Sequence, residues 1–401
     1  MRSSRIRTLT ALAAGVLTAA GLAVYAGSTP AAAATGFGVA PYVDMTNNQE
    51  PMLNSAIGNA GLKAFTAAFV IGSGCTPIWG DTLPVTNDPT VSGEISSAQS
   101  AGAQVIVSFG GAGGVELAQS CTDTGRLTAA YQSVVDTFHL SHIDFDVEGA
   151  AIADTASIHR RFAAIKNLES ANSGLNVSVT IPVLPSGPDA NGQAFLRDAN
   201  ADGARIDLVD IMAMDYYGGW DSGPQMGAYA TQAAQATLNF AKNVWSSYGF
   251  GNIGITPMIG QNDDSAEVFS LADARTVVNF AGANGIGRLG FWSADRDQPC
   301  TGGVSGLPSC SGISQSKLDF TKIFTAYSGG GGGSTPPTST TTTPPGSGSC
   351  AGIAAWNSGT SYVPGDAVSY SSHKWTALYY STDVVPGSAI AWNIWQDNGS
   401  C

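Results

Sequence analysis

The chain has 401 residues, 30 of them acidic and 17 basic, for a formal net charge of −13. That length exceeds the needs of one average domain, and the acidity argues against a nucleic-acid partner, whose phosphates it would repel. Only 12% of residues are charged while glycine alone contributes 50; acidity of this kind favours solubility and identifies no ligand.

The chain opens on a targeting pattern. Arg2, Arg5 and Arg7 precede an apolar run from about Leu9 to Val24, and Ala31 to Ala34 supply small residues for a peptidase. Residues 1–34 are therefore expected to be a secretory signal peptide, cleaved after Ala34, with the product extracellular. The other reading is a retained membrane anchor, against which stand the shortness of the run and its glycines. No later stretch of 18 apolar residues suggests a membrane span, so no stable membrane association is expected after cleavage. Cleavage removes three of the 17 basic residues and leaves 14 against 30 acidic ones.

From Thr35 to Tyr327 short apolar runs alternate with helix-like stretches. The strand candidates are Gly36–Val43, Ala64–Ile71, Gln104–Phe109, His142–Glu148, Asn176–Pro182, Leu208–Met214, Ile253–Met258 and Gly287–Trp292, and segments such as Asp154–Ala171 and Gln232–Tyr248 separate them. Val, Ile and Phe are frequent in the runs, as in strands buried on both faces. Alternation over residues 35–327 predicts an α/β class with a parallel sheet, and eight units predict closure into a (β/α)₈ TIM barrel. An open doubly wound sheet is the alternative, but no Gly-x-Gly-x-x-Gly turn follows the first strand. In a barrel, the chemistry lies at the carboxyl ends of the strands.

The fourth run reads His142-Ile143-Asp144-Phe145-Asp146-Val147-Glu148-Gly149. Side chains alternate along a strand, so Asp144, Asp146 and Glu148 share one face and Ile143, Phe145 and Val147 the other. The apolar face should pack on helices and the acidic face should look into the barrel. Carboxylates about 6.6 Å apart along a strand in such an interior do not all ionise cheaply. A raised pKa at the outermost position, Glu148, suits a general acid. A solvated acidic edge is the bland alternative, and large apolar residues between the acids oppose it. A divalent metal on three carboxylates is another, yet no oxygen ligands from other strands are identifiable; neither metal nor cofactor is expected.

This ladder resembles the Asp-x-Asp-x-Glu core of glycoside hydrolase family 18, the chitinases and their relatives. The usual motif carries an Asp and a Gly upstream, where this chain has Ser141 and His142. Ser108-Phe109-Gly110-Gly111 resembles the family's Ser-x-Gly-Gly motif, which implies that Ser108 lies under the ladder as a hydrogen-bond partner and that the glycines keep the floor open; read without the family, Gly110 to Gly114 is only a flexible turn. Met212-Ala213-Met214-Asp215-Tyr216 resembles the Met-x-Tyr-Asp segment, with Met214 at the usual Tyr. Tyr216 or Tyr217 is then the candidate for the missing hydroxyl, and Asp215 matches the Asp that orients the substrate's acetamido group. Trp292 resembles the Trp under the reacting sugar; its other reading is a core tryptophan.

The resemblance implies a retaining, substrate-assisted hydrolysis of β-1,4-linked N-acetylglucosamine. Glu148 would be the acid, Asp146 the acetamido partner, and Asp144 would share a proton with Asp146. Chitin and chitooligosaccharides are the implied partners. The alternatives are an endo-β-N-acetylglucosaminidase of the same family and a non-catalytic chitin-binding lectin. A monomer is the default.

Residues 328–349, SGGGGGSTPPTSTTTTPPGSGS, lack any core-forming side chain and read as a linker. The catalytic domain is thus expected over 35–327 and a second, small all-β domain over 350–401. The latter holds Trp356, Trp375, Trp392 and Trp395, together with Tyr362, Tyr370, Tyr379 and Tyr380, more aromatics than so small a domain can bury. Ala367–Tyr370 and Lys374–Tyr379 read as short strands. The order Trp356, Tyr362, Gly365-Asp366, Tyr370, Trp375 with Ala377, Pro386-Gly387 and Trp392 resembles the small chitin- and cellulose-binding modules of families 5 and 12. This implies Tyr379, Tyr380 and Trp375 as chitin-binding candidates and Trp356 and Trp392 as core.

Six cysteines behind an export signal make disulfides the default. Of the 15 connectivities open to six cysteines, the simplest pairs near neighbours: Cys75–Cys121, Cys300–Cys310 and Cys350–Cys401.

Overall fold

The structure is a computed structural model that describes residues 37–46, 50–80, 82–86, 88–217, 220, 225–300, 309–329, 350, 353–358, 360–362, 366–377, 381–382, 384–387 and 395–400. The expected signal peptide, nearly all of the expected linker, Tyr379, Tyr380 and Trp392 lie outside the described residues, as does Cys401 and with it the Cys350–Cys401 pairing. Among the described residues no helix is long and apolar enough to cross a membrane.

The eight expected strands form one parallel barrel sheet: β1 (Tyr42–Asp44), β2 (Ala64–Ser73), β3 (Gln104–Gly110), β4 (His142–Asp146), β5 (Asn176–Pro182), β6 (Leu208–Met212), β7 (Ile253–Thr256) and β8 (Arg288–Leu289). Neighbours in sequence are neighbours in the sheet from β1 through β8. The chain just before β1 closes the ring. Val39 bridges Leu289, the Ala40 N–H donates to the Leu289 carbonyl at 2.9 Å, and the Tyr42 N–H donates to the Phe291 carbonyl at 3.0 Å. Closure removes the sheet's edges.

Helices follow the strands in turn: α1 (Glu50–Ala60), α2 (Pro89–Ser100), α3 (Thr124–Phe138), α4 (Thr155–Ala171), α5 (Ala190–Asp202), α6 (Met226–Val244), α7 (Leu271–Asn284) and α8 (Asp319–Phe324). Their ends are chemically marked. Asp154 caps α4, accepting from the N–H groups of Ala156 and Ser157; Ser270 and Asp273 form a capping box on α7, which Gly285 ends in the left-handed region. The expected helix Gln232–Tyr248 is shifted. It begins at Met226 because its second residue, Gly227, donates its N–H to Asp273 of α7, 46 residues away, a cap invisible to a local reading.

The outward faces of the strands pack on the helices. Ile143, Phe145 and Val147 are fully buried, and Phe145 meets Phe109 of β3 and Tyr131 of α3 at centroid separations of 5.3 and 5.1 Å. Two insertions matter for the site. The strand Thr76–Trp79 folds back antiparallel on β2, and the Cys75–Cys121 disulfide joins that turn to the segment after β3. The two-residue strands Gly260–Gln261 and Val268–Phe269 pair antiparallel between β7 and α7. Cys300–Cys310 is also bonded.

The C-terminal region contains a three-stranded antiparallel sheet, Ala367–Tyr370, His373–Ala377 and Trp395–Ser400. Tyr362, Val368, Ala377 and Trp395 make its small core, with Trp356 and Trp375 half-buried against it. Among the described residues Trp395 is the buried tryptophan there, and Trp356, expected in the core, is half-buried against it. The expected strand Lys374–Tyr379 starts one residue earlier and is seen over His373–Ala377, its last two expected residues lying outside the described ones.

Candidate active site

The carboxyl ends of the strands surround one pocket. Tyr42, Phe69, Asp146, Glu148, Thr180, Met212, Met214, Asp215, Thr256, Met258, Asp263 and Trp292 are among its lining residues. The ladder is therefore placed as expected, although β4 ends at Asp146 and Glu148 stands just past it.

Asp144 lies beneath the pocket and is fully buried. Four hydroxyls satisfy it: Tyr42 Oη and Ser108 Oγ donate to Oδ2 at 3.0 and 2.7 Å, Ser178 Oγ to Oδ1 at 2.5 Å, and Thr180 Oγ1 reaches both oxygens at 3.0 and 3.1 Å. Arg288 donates to Ser178 Oγ at 2.9 Å and continues the network toward the barrel bottom. Ser108 thus sits under the ladder as expected. Neighbouring strands supply these partners because β3, β4 and β5 run in register, Ser108 opposite Asp144 and Asp144 opposite Ser178.

Asp146 and Glu148 form a pair. Their side chains are hydrogen-bonded to each other. Burial pushes Asp146 well above the usual carboxylate range, and the charges of Glu148 and Asp144 add to that. Burial raises Glu148 to about 7; the bond from Asp146 works against that rise, and Asp215 and Asp263 reinforce it. Such a pair retains a proton near neutrality. Asp146 was expected to share a proton with Asp144. Instead it bonds to Glu148, because hydroxyls already occupy Asp144. Asp146 Oδ1 is buried and has no partner.

Gly110 and Gly111 shape the floor. A Cβ on Gly110 would stand 2.0 Å from the Asp146 carbonyl oxygen, and one on Gly111 would stand 2.6 Å from the Phe69 ring; both residues have positive φ, 112° and 84°. The glycine pair is required by close approach and is more than a flexible turn. Phe69 stacks on Trp292, centroids 5.6 Å apart at 13°, so Trp292 is half-buried at the pocket rather than lost in the core.

Asp215 lines the pocket with φ of 46°. The insertion after β7 holds it: the Asp215 N–H donates to Asn262 Oδ1 at 3.3 Å and the Asp264 N–H to Asp215 Oδ1 at 3.2 Å. Burial foremost, with the charges of Asp263 and Glu267, raises Asp215 to about 6. Glu267 accepts from the N–H groups of Tyr216 and Tyr217 at 3.1 and 2.8 Å. Here the structure corrects an expectation. Tyr216 is buried against Tyr229, with its hydroxyl unpartnered and away from the pocket. Tyr217 is exposed and is not among the lining residues. Neither residue lines the pocket, because the turn after Asp215 carries one inward and the other to solvent. Met214 lines the wall as an apolar group.

Sequence reading missed Tyr42, Phe69, Thr180, Met258 and Asp263. Phe69, Thr180, Met258 and Asp263 lie on or past a strand's carboxyl-terminal half, the one signal that points to them; Tyr42 opens β1 and carried no such signal.

The deciding comparison is with a solved structure, active domain 2 of the chitinase from Pyrococcus furiosus. It is 30% identical, superimposes with a TM-score of 0.65, and is matched over 97% of its length by 75% of this chain. The chain belongs to glycoside hydrolase family 18. Two curated relatives agree: a probable bifunctional chitinase/lysozyme of Escherichia coli (strain K12), 35% identical over 72% of this chain, and endochitinase 11 of Metarhizium anisopliae, 35% identical over 65%. The chain spans about a third of the first relative and about half of the second. No protein-family model matches it.

Proposed function

We propose that this family-18 domain hydrolyses β-1,4 bonds between N-acetylglucosamine units of chitin, with retention, by substrate-assisted catalysis. The observation that carries this reading is the hydrogen-bonded Asp146–Glu148 pair in a pocket bounded by Trp292. The P. furiosus enzyme, solved in complex with chito-oligosaccharides, supports the substrate class.

The residues divide the work as follows. Glu148, protonated near neutrality, gives its proton to the glycosidic oxygen as that bond to the anomeric carbon breaks. The acetamido carbonyl oxygen of the same sugar bonds to the anomeric carbon, forming an oxazolinium ion. The unpartnered Asp146 Oδ1 accepts the acetamido N–H and stabilises the positive charge. Asp215 orients the acetamido group, and Trp292 with Phe69 carries the sugar face. Water then adds to the anomeric carbon as its bond to the acetamido oxygen breaks, which restores the N-acetyl group, and gives Glu148 its proton back. Asp144 stays below, keeping the ladder aligned. Early-time NMR on chitohexaose tests the scheme: β-anomeric products are expected, and α-anomers would refute it.

We also propose that residues 1–34 direct secretion and that residues 350–401, joined by the 328–349 linker, bind chitin through Trp375, Tyr379 and Tyr380. Half-burial of Trp375 supports an aromatic face for sugar rings. Deletion of the module should weaken adsorption to crystalline chitin; unchanged adsorption would count against it.

A further inference from the structure

A second polar network lies on the floor of the barrel, below the residues that carry the reaction. Among the described residues, Arg288 is the only lysine or arginine in the eight barrel strands, and it is buried. Its Nη1 donates to Ser178 Oγ at 2.9 Å. A guanidinium can only donate, so the single hydrogen of the Ser178 hydroxyl goes to an acceptor. Asp144 Oδ1 at 2.5 Å is nearer than the Ile143 carbonyl at 3.4 Å. Arg288 thus aims a hydroxyl at Asp144, and a bond of that direction favours the ionised carboxyl.

Asp210 of β6 is the other carboxylate on this floor. It is buried and accepts from Thr256 Oγ1 at 3.0 Å on each oxygen. Asp210 and Arg288 both stand opposite Gly254 of β7. A Cβ on Gly254 would come within 2.8 Å of the Asp210 carboxyl carbon, so the glycine gives that carboxylate its room. Burial raises Asp210 to about 7; the Arg288 charge opposes the rise, and the Asp144 charge adds to it. His142 stacks on Phe37 and is pushed down to about 3, by burial first and then by Arg288, so it stays neutral. Burial, with Asp144 and its neighbours, pushes Tyr42 up, so it is neutral too. One positive charge therefore faces Asp144 and Asp210, and the negative charges of those two raise Asp146 in turn.

We propose that Arg288 is a positioning residue of the reaction: acting through Ser178 and on Asp210, it keeps Asp144 and Asp210 ionised, and their charge keeps on the Asp146–Glu148 pair the proton that Glu148 delivers. Without Arg288 a proton settles on Asp144 or Asp210. Whichever takes it, a charge that raises Asp146 is lost, and the pair releases its own proton at lower pH. The inference rests on the function proposed above.

The test measures kcat/KM on chitotetraose across pH for the unaltered protein, Arg288→Met, Arg288→Lys and Ser178→Ala. The alkaline limb should lie about one pH unit lower in Arg288→Met. Arg288→Lys keeps the charge and should bring the limb most of the way back. Ser178→Ala keeps Arg288 but removes the hydroxyl between it and Asp144, and should move the limb part of the way down. The limb is read from the shape of each profile, so a smaller folded fraction leaves it in place; if Arg288→Met does not fold, Ser178→Ala decides. Limbs that do not move, or that move to higher pH as the loss of a distant positive charge alone requires, overturn this proposal and leave the chitinase reading standing. Failure of the unaltered protein to cleave chitotetraose removes the chitinase reading and this inference with it.

Discussion

The side chains of Asp146 and Glu148 are hydrogen-bonded to each other two residues apart, where the fourth barrel strand gives way to its loop. Burial raises both, and Glu148 reaches about 7. The acid form of Glu148 therefore prevails below that value and is lost above it. The kcat/KM profile on chitotetraose should hold at mildly acidic pH and fall as pH rises through about 7. Glu148→Gln should lower turnover by about 10²- to 10⁴-fold while still binding chitooligosaccharide, measured by calorimetry.

Asp146 and Asp144 should respond differently to the same change. Asp146→Asn places an amide N–H₂ where the acetamido N–H needs an acceptor, so turnover should fall severely. Asp144 touches no substrate, and its oxygens accept from Tyr42, Ser108, Ser178 and Thr180. Asp144→Asn turns one acceptor into a donor among donors and should cost about 1–3 kcal/mol of stability, with the smaller kinetic loss. Chemical denaturation beside steady-state kinetics checks both.

Gly111→Ala should loosen the Phe69–Trp292 stack. The added Cβ meets the Phe69 ring at 2.6 Å, at a φ of 84°. Strain of this kind costs about 1–3 kcal/mol, and binding of chitooligosaccharide should weaken with it. Tryptophan fluorescence during titration reports the change.

Beside the site, Arg161 of α4 and Glu116 of the segment after β3 form a buried two-point ion pair, with bonds of 3.0 and 2.6 Å. Glu116 also accepts from the Ala118 N–H. Arg161→Met leaves a buried carboxylate without its cation and should destabilise the domain by about 3–5 kcal/mol. Urea unfolding of the two proteins at one pH measures it.

Periodicity sufficed for the barrel because strands buried on both faces are apolar throughout, and Ile143, Phe145 and Val147 are all in the core. Strand ends were less legible: β8 is two residues, Arg288–Leu289, where six were expected, although the N–H groups of Gly290 and Trp292 still donate to the Ile255 and Pro257 carbonyls and carry the pairing on to the pocket. The missing-hydroxyl question was beyond local reading. Tyr216 and Tyr217 are adjacent, and the Glu267 carboxylate, 51 and 50 residues on, accepts from both of their N–H groups and so holds the turn that sends one inward and the other to solvent.

The amino-acid order alone determined the carboxylate ladder and its facing, since a strand's two-residue repeat is set by backbone geometry. The glycine pair and the two disulfides seen here were likewise legible as local patterns. What tertiary structure alone decided is the proton partnership and the rim. Asp144 is occupied by hydroxyls from three other strands, which leaves Asp146 to Glu148, and Asp263 enters the pocket only because the insertion after β7 docks on Asp215. Both depend on contacts between residues far apart in the chain, and those exist only once the ring of strands has closed.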